Sequence, residues 1–181
     1  MLHRILRYRP LAWEGYEQVE VTATADGIMA DGVTIGEREG RRYGAFYRLR
    51  LTPTWVFREI TIKRTDGTAW TLAADGAGAW RDGAGAVLPD LGGAIDIDLS
   101  GSPLTNTLPI RRVALSQDEP RTFEMAWIPL DTLAPFRDVQ TYTRLDPAHY
   151  RYQSSDGSFE AVLTVDQDGF VTDYPGLFVA V

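Results

Sequence analysis

A mainly β, single-domain fold is predicted: one large curved antiparallel sheet or incomplete β-barrel spanning residues 1–181, with little helix. Three observations point there. Asp-Gly occurs seven times, at 26–27, 31–32, 66–67, 75–76, 82–83, 156–157 and 168–169, and this dipeptide supplies the positive φ angles of tight hairpin turns. Between these marks run short segments of period two, the signature of a strand with one buried face. Helical periodicity over eleven or more residues is absent, and the Ala-Gly mixture of residues 73–86 holds too much glycine for a helix.

Taken in order, Gln18-Val19-Glu20-Val21-Thr22-Ala23-Thr24 alternates and reads as a strand, with turns at both following Asp-Gly pairs. The run Phe57-Arg58-Glu59-Ile60-Thr61-Ile62-Lys63 reads likewise. Residues 83–93 are glycine-rich and contain Pro89-Asp90, so they form a loop or short edge hairpin. Asp96-Ile97-Asp98-Leu99 is a short strand with both carboxylates on one face. The stretch 108–115 is expected to be the next strand after a loop over 102–107. The one short helix expected lies at 131–136, where Asp131 can cap a turn ahead of Pro135. Phe159-Glu160-Ala161-Val162-Leu163-Thr164-Val165 closes the series of strands, and Asp166-Gln167-Asp168-Gly169 is a turn. It lacks the flanking helices and distal Glu of an EF-hand. About a dozen strands in one sheet will curl, because a twisted sheet of that width does not stay flat. Curling leaves a concave face for Trp13, Trp55, Trp70, Trp80, Trp127 and the tyrosines at 43, 47, 142, 150, 152 and 174 to line or fill.

Composition narrows the function. With 44% hydrophobic and 24% charged residues, the 181-residue chain can bury one sizeable core. A formal charge of -7 argues against nucleic acid and anionic lipid surfaces, which need a positive footprint. There is no cysteine, which removes disulfides and thiolate chemistry, and two histidines make a His-based metal centre unexpected. No cofactor and no metal are expected. No window is apolar enough to span a bilayer, and the first ten residues lack the apolar core of a leader, so a cytoplasmic location without integral membrane association is expected.

The polar density of residues 96–112 stands out: two carboxylates, an amide, two Thr hydroxyls and two guanidiniums sit in an otherwise apolar sequence. Such groups must be paired if buried. Asp96 and Asp98 on one strand face lie about 7 Å apart and need Arg partners or a cation. Arg111 and Arg112 are the candidates; adjacent strand residues face opposite ways, so at most one meets both acids. A hydrolase using Asp96 and Asp98 on a sugar or ester is the catalytic alternative, although strand geometry alone satisfies the roughly 5 to 9.5 Å spacing of glycosidase carboxylates. Nucleophile-elbow, phosphate-loop and dinucleotide fingerprints are all missing. His149 reads as a surface histidine. A scaffold that associates through a sheet edge is a third reading. No oligomeric state follows from the sequence.

The ordered set Trp70 to Trp80 with Ala-Asp-Gly-Ala-Gly-Ala-Trp, then Asp96-Ile97-Asp98-Leu99, then Ser102-Pro103-Leu104-Thr105-Asn106-Thr107-Leu108-Pro109-Ile110-Arg111-Arg112, resembles the bacterial "putative glycolipid-binding" family. Gln140-Thr141-Tyr142-Thr143-Arg144, Tyr150-Arg151-Tyr152 and the stretch through Asp173-Tyr174-Pro175-Gly176 fit the same pattern. The chain departs from it at Gly92-Gly93, where the pattern has Gly-Cys, and at Ser102-Pro103 in place of Thr-Pro. The resemblance implies a curved antiparallel sheet like those of lipoprotein carriers. It also implies noncatalytic binding of an amphipathic small molecule, a glycolipid or related lipid. Trp80, Tyr142 and Tyr152 are then expected to meet the apolar part, and Asp96, Asp98, Thr105, Asn106, Arg111 and Arg112 the polar head.

Overall fold

The computed structural model describes residues 2–181. Its strands are β1 (Leu2–Pro10), β2 (Tyr16–Ala23), β3 (Ile28–Arg38), β4 (Arg41–Leu51), β5 (Phe57–Arg64), β6 (Ala69–Ala74) and β7 (Trp80–Asp82) in the first half. The second half carries β8 (Asp96–Leu99), β9 (Pro120–Ile128), β10 (Phe136–Arg144), β11 (His149–Ser154), β12 (Glu160–Val165), β13 (Val171–Tyr174) and β14 (Phe178–Ala180). All belong to one 14-stranded sheet in the order β7-β6-β5-β4-β3-β2-β1-β14-β13-β12-β11-β10-β9-β8. Two meanders therefore run outward from a central seam where β1 pairs with β14. Every pair is antiparallel except β8 with β9.

The sheet is not closed into a barrel, because β7 and β8 share no ladder, yet its two edges approach. Gly93 N–H donates to the Gly78 carbonyl at 3.1 Å and the Trp80 indole N–H to the Ala94 carbonyl at 2.9 Å. Alternation decides which side chains face inward: Val19 and Val21 on β2, Tyr47, Leu49 and Leu51 on β4, and Ile60 and Ile62 on β5 are all at most 5% exposed. Trp80 is part of this core, stacked on Phe57 with ring centroids 5.1 Å apart.

Residues 101–110 are buried without exception and thread the inside of the curved sheet. A 3-10 turn (Pro103–Asn106) leads directly into the helix α1 (Thr107–Arg112). This corrects the strand expected at 108–115. Inside the curl no sheet edge is free to pair with the segment, so its backbone groups are satisfied locally by helical bonds, as buried backbone must be. Proline at the first position of the 3-10 turn lacks only an N–H that had no partner there.

The helix expected at 131–136 is also absent. Residues 129–135 form a loop with a single turn-like bond, Leu133 N–H to the Pro129 carbonyl at 2.8 Å, and Leu133 sits at a positive φ of 55° that a helix cannot continue. The Asp-Gly pairs mark turns as expected, except Asp31-Gly32, which lies in mid-strand on β3. A Cβ on Gly32 would stand 2.1 to 2.5 Å from the Tyr47 ring atoms, so this glycine makes room for the neighbouring strand's tyrosine. Residues 82–87 form the short edge hairpin, closed by the Arg81 to Val87 bridge.

Candidate functional site

The curled sheet has two ends. At one, the thread leaves β8 through Ser100 and Gly101 and turns inward, and here a cavity of about 830 Å³ opens. Trp13, Trp127, Phe159 and Leu177, all half-buried, stand at its mouth beside Arg38 and Glu39. Deeper in the wall lie Ser102, Asn106, Tyr152 and Tyr174, each 7% exposed or less, together with half-buried Asp98. Aromatic rings thus share the rim with charged Arg38 and Glu39, and the buried polar groups alternate with Leu99, Pro103 and Phe178. At the other end Trp55 and Phe170 pack edge to face at 5.9 Å and close the interior. A shallower hollow of about 480 Å³ lies outside that seal, between Arg111 and Arg144.

Asp98, Asn106 and Ser102 in the cavity wall are held from behind. Asp98 accepts from the Thr105 hydroxyl at 3.2 Å and from the Gln140 amide at 2.6 Å. Burial raises its pKa, the Gln140 and Thr105 bonds oppose the rise, and the nearby Asp138 charge adds to it. Asn106 donates its amide to the Tyr142 hydroxyl at 2.8 Å, and Tyr142 donates in turn to the Gln140 side-chain oxygen at 3.3 Å. Gln140 is the hub of this network; the stretch 140–144 belongs to the family pattern, but no role for Gln140 was expected from it. Burial also raises the Tyr152 and Tyr174 hydroxyls, so both are neutral donors at any physiological pH.

Asp96 and Asp98 have separate partners. Arg112 grips Asp96 alone, through Nε at 3.0 Å and Nη2 at 2.5 Å, and lies over the Phe123 ring at 5.7 Å. Burial pushes the Asp96 pKa up and Arg112 pulls against it. This fork–fork bond occupies both partners, and neither lines the cavity. Of the other expected site residues, Asp98, Asn106 and Tyr152 line the cavity, while Thr105 and Tyr142 support it. Arg111 emerges at the sealed end with its guanidinium 5.3 Å from the Trp55 ring centroid, and Trp80 is in the core. His149 is bound to Asp146 at the surface at 2.8 Å.

Further groups at the site were not singled out from the sequence. Arg38 lies over the Trp127 ring at 4.7 Å and reaches the buried Asp131 carboxylate at 3.5 Å. Behind the cavity wall, Glu17 is 1% exposed and accepts from the Tyr47 hydroxyl at 2.7 Å, whose oxygen is 3.2 Å from the Ser102 hydroxyl. A signal for Glu17 was present: it shares the inward parity of Val19 and Val21 on β2. Among the described residues no group of three or more His, Asp or Glu side chains is arranged to hold a metal ion, and no helix is long and apolar enough to cross a membrane.

The family described as "Putative glycolipid-binding" matches residues 5–180, and the chain belongs to it. No curated protein matches. Among solved structures, the crystal structure of a DUF1089 family protein from Pseudomonas aeruginosa is 39% identical, covers 92% of each chain and superposes with a TM-score of 0.80.

Proposed function

We propose that this member of the glycolipid-binding family takes an amphipathic small molecule into the open end of its curled sheet, polar head first, as a binding protein rather than as an enzyme. One observation carries the reading: the 830 Å³ cavity sets half-buried aromatic rings and buried polar groups in one wall. That size suits a lipid head group with the first part of its chain, since small-molecule sites typically run about 300–1,000 Å³. Aromatic rings with polar tips fit the boundary between the two halves of such a ligand. The head group would meet Asp98, Asn106, Ser102, Tyr152 and Tyr174, and the chain would lie between Trp13, Trp127 and Phe159. A sugar head accords with the family description and with a wall that offers both carboxylate acceptors and phenol donors.

Native mass spectrometry of protein purified without detergent, followed by extraction and lipid analysis of the same sample, tests this. A stoichiometric adduct identified as a lipid or glycolipid is expected, with Asp98→Asn and Trp127→Ala reducing its occupancy. A bare mass, with no uptake from an added lipid extract, would overturn the proposal.

A further inference from the structure

Three side chains in line connect the cavity to a carboxyl group that the ligand cannot touch. Ser102 belongs to the cavity wall. Its hydroxyl oxygen is 3.2 Å from the Tyr47 hydroxyl, which donates to Glu17 Oε1 at 2.7 Å. Glu17 is surrounded on every side: Tyr8 on β1 and Thr34 on β3 are its register partners, Tyr43 and Tyr47 come from β4, and Ser102 from the inner thread. No Arg, Lys or His forms an ion pair with Glu17 among the described residues, and its second oxygen has no hydrogen-bond partner. Among the flanking tyrosines, Tyr8 feels the charges of Arg4 and Asp166, and Tyr43 those of Arg38 and Asp131.

A hydroxyl has one proton to give, so such a chain has two directions. With Glu17 ionised, Tyr47 gives its proton to the carboxylate and Ser102 turns its own toward the same pair. The Ser102 lone pairs are then left for the cavity. With Glu17 protonated, the carboxyl donates to Tyr47, Tyr47 to Ser102, and the Ser102 O–H is free to donate to whatever lies in the cavity. We infer that Glu17 and Tyr47, from behind the wall, set whether Ser102 meets a ligand as acceptor or as donor, so that the cavity selects head groups by hydrogen-bond polarity and exchanges one proton with solvent at Glu17 when that polarity changes. The inference rests on the cavity being a binding site. Burial without a countercharge pushes Glu17 up to about 7, against the opposing pull of the nearby Ser102 and Tyr47 hydroxyls, which puts the reversal within reach of ordinary solution pH.

The first test needs no ligand. In a carboxyl-carbon NMR titration of the whole chain, with the Glu17 signal assigned by its loss in Glu17→Gln, the midpoint is expected near neutrality. Tyr47→Phe keeps the ring that fills the space at Gly32 and removes only the donor, so the midpoint should rise, and Ser102→Ala should raise it independently. A midpoint in the ordinary carboxylate range, or one that neither variant moves, would overturn the inference. The second test measures binding of decylammonium, a donor-only head, and of decanoate, an acceptor-only head, between pH 6 and 9. As pH rises through the Glu17 midpoint, decylammonium should tighten and decanoate weaken, each by about tenfold, the worth of one charge-linked hydrogen bond. Both trends should vanish in Glu17→Gln and shrink in Ser102→Ala. Trends that persist unchanged in Glu17→Gln would overturn the inference. Failure of both amphiphiles to bind at any pH would overturn the inference, while the binding reading itself stands or falls with the lipid-extract experiment.

Discussion

The two ends of the curled sheet are built from the same residue types and come to opposite results. At the sealed end Trp55 is 5% exposed and Phe170 fully buried, one packed edge to face on the other. The guanidiniums of Arg111 and Arg4 lie over those rings, each at 5.3 Å, and Arg4 is held by Asp166 and Asp168 at 2.5 Å. At the open end Trp127 and Trp13 stay half-exposed around a void, and Arg38 covers only one ring face while pairing with Asp131. The difference lies in the inner thread. It enters beside the open end through a tight turn at Ser100 and Gly101, then coils through the 3-10 turn into α1 on its way down. Coiling puts more side chains into each ångström of length, and the lower half of the interior is filled by them. Composition alone cannot distinguish a lining aromatic from a plugging one; the route of residues 100–112 does.

This contrast is sharpest under substitutions that empty the lower half. Arg112→Ala leaves the Asp96 carboxylate buried, with a fully covered side chain and no partner, and should cost about 3 to 5 kcal/mol. Trp55→Ala removes a buried indole at the seal and should cost about 3–5 kcal/mol as well. Urea unfolding reads both as a fall in midpoint. If either variant unfolds with the stability of the parent chain, the seal is not what holds the lower half together.

The polar wall near the open end carries a pH signature of opposite sign to the usual acid denaturation. Burial raises the folded-state pKa of Glu17 from its ordinary 4.5 to about 7. Between those values the folded protein holds a proton that the unfolded chain has lost, so stability falls as pH rises through this window. The decline amounts to about 3 kcal/mol between pH 4.5 and pH 7, at about 1.4 kcal/mol per unit. Glu17→Gln should remove this decline and gain stability at pH 8, where the parent carries a buried, unpaired charge. A parent chain as stable at pH 8 as at pH 5, with Glu17→Gln no different, would contradict a carboxyl so placed.

Within the sheet, at the glycine that faces Tyr47, the expected effect is smaller. Gly32→Ala sets a methyl group against the Tyr47 ring and should cost about 1–3 kcal/mol by overpacking. Because Tyr47 must shift to admit it, the Glu17 midpoint should move in the same variant, whereas Gly157→Ala, at a turn with open space around it, can alter neither the Tyr47 contact nor the midpoint.

The fold was legible where one rule acted alone. Alternation along 18–24 and 57–63 announced strands, and six of the seven Asp-Gly pairs sit at turns. It was illegible where the environment outvoted the local pattern. Leu108-Pro109-Ile110 reads as β because its residues are apolar and branched, and coils because nothing inside the curl offers it a strand edge. Asp131 has the chemistry of a helix cap and spends its carboxylate on Arg38 and Arg41 instead. Of the residues lining the cavity, Asp98 and Asn106 could be named because polar residues crowd 96–112, and Tyr152 because of the family resemblance around Tyr150-Arg151-Tyr152. The pairing of Asp96 with Arg112, and the departure of Arg111 to the far end, depended on α1 turning adjacent residues about 100° apart rather than on strand alternation.

Trp127→Ala probes the open end with the least disturbance to the fold. The indole is half-buried, touching Phe136 at 5.0 Å and the Arg38 guanidinium at 4.7 Å, so its loss should lower stability by only about 1 kcal/mol. It should nevertheless weaken retention of an amphiphile far more than Trp55→Ala does per unit of stability lost, because Trp127 lines the void and Trp55 does not. Measuring unfolding midpoint and lipid occupancy on both variants separates the two roles. Equal loss of occupancy per kcal/mol at both ends would mean that binding tracks overall stability and that the aromatic mouth makes no contact of its own with the ligand.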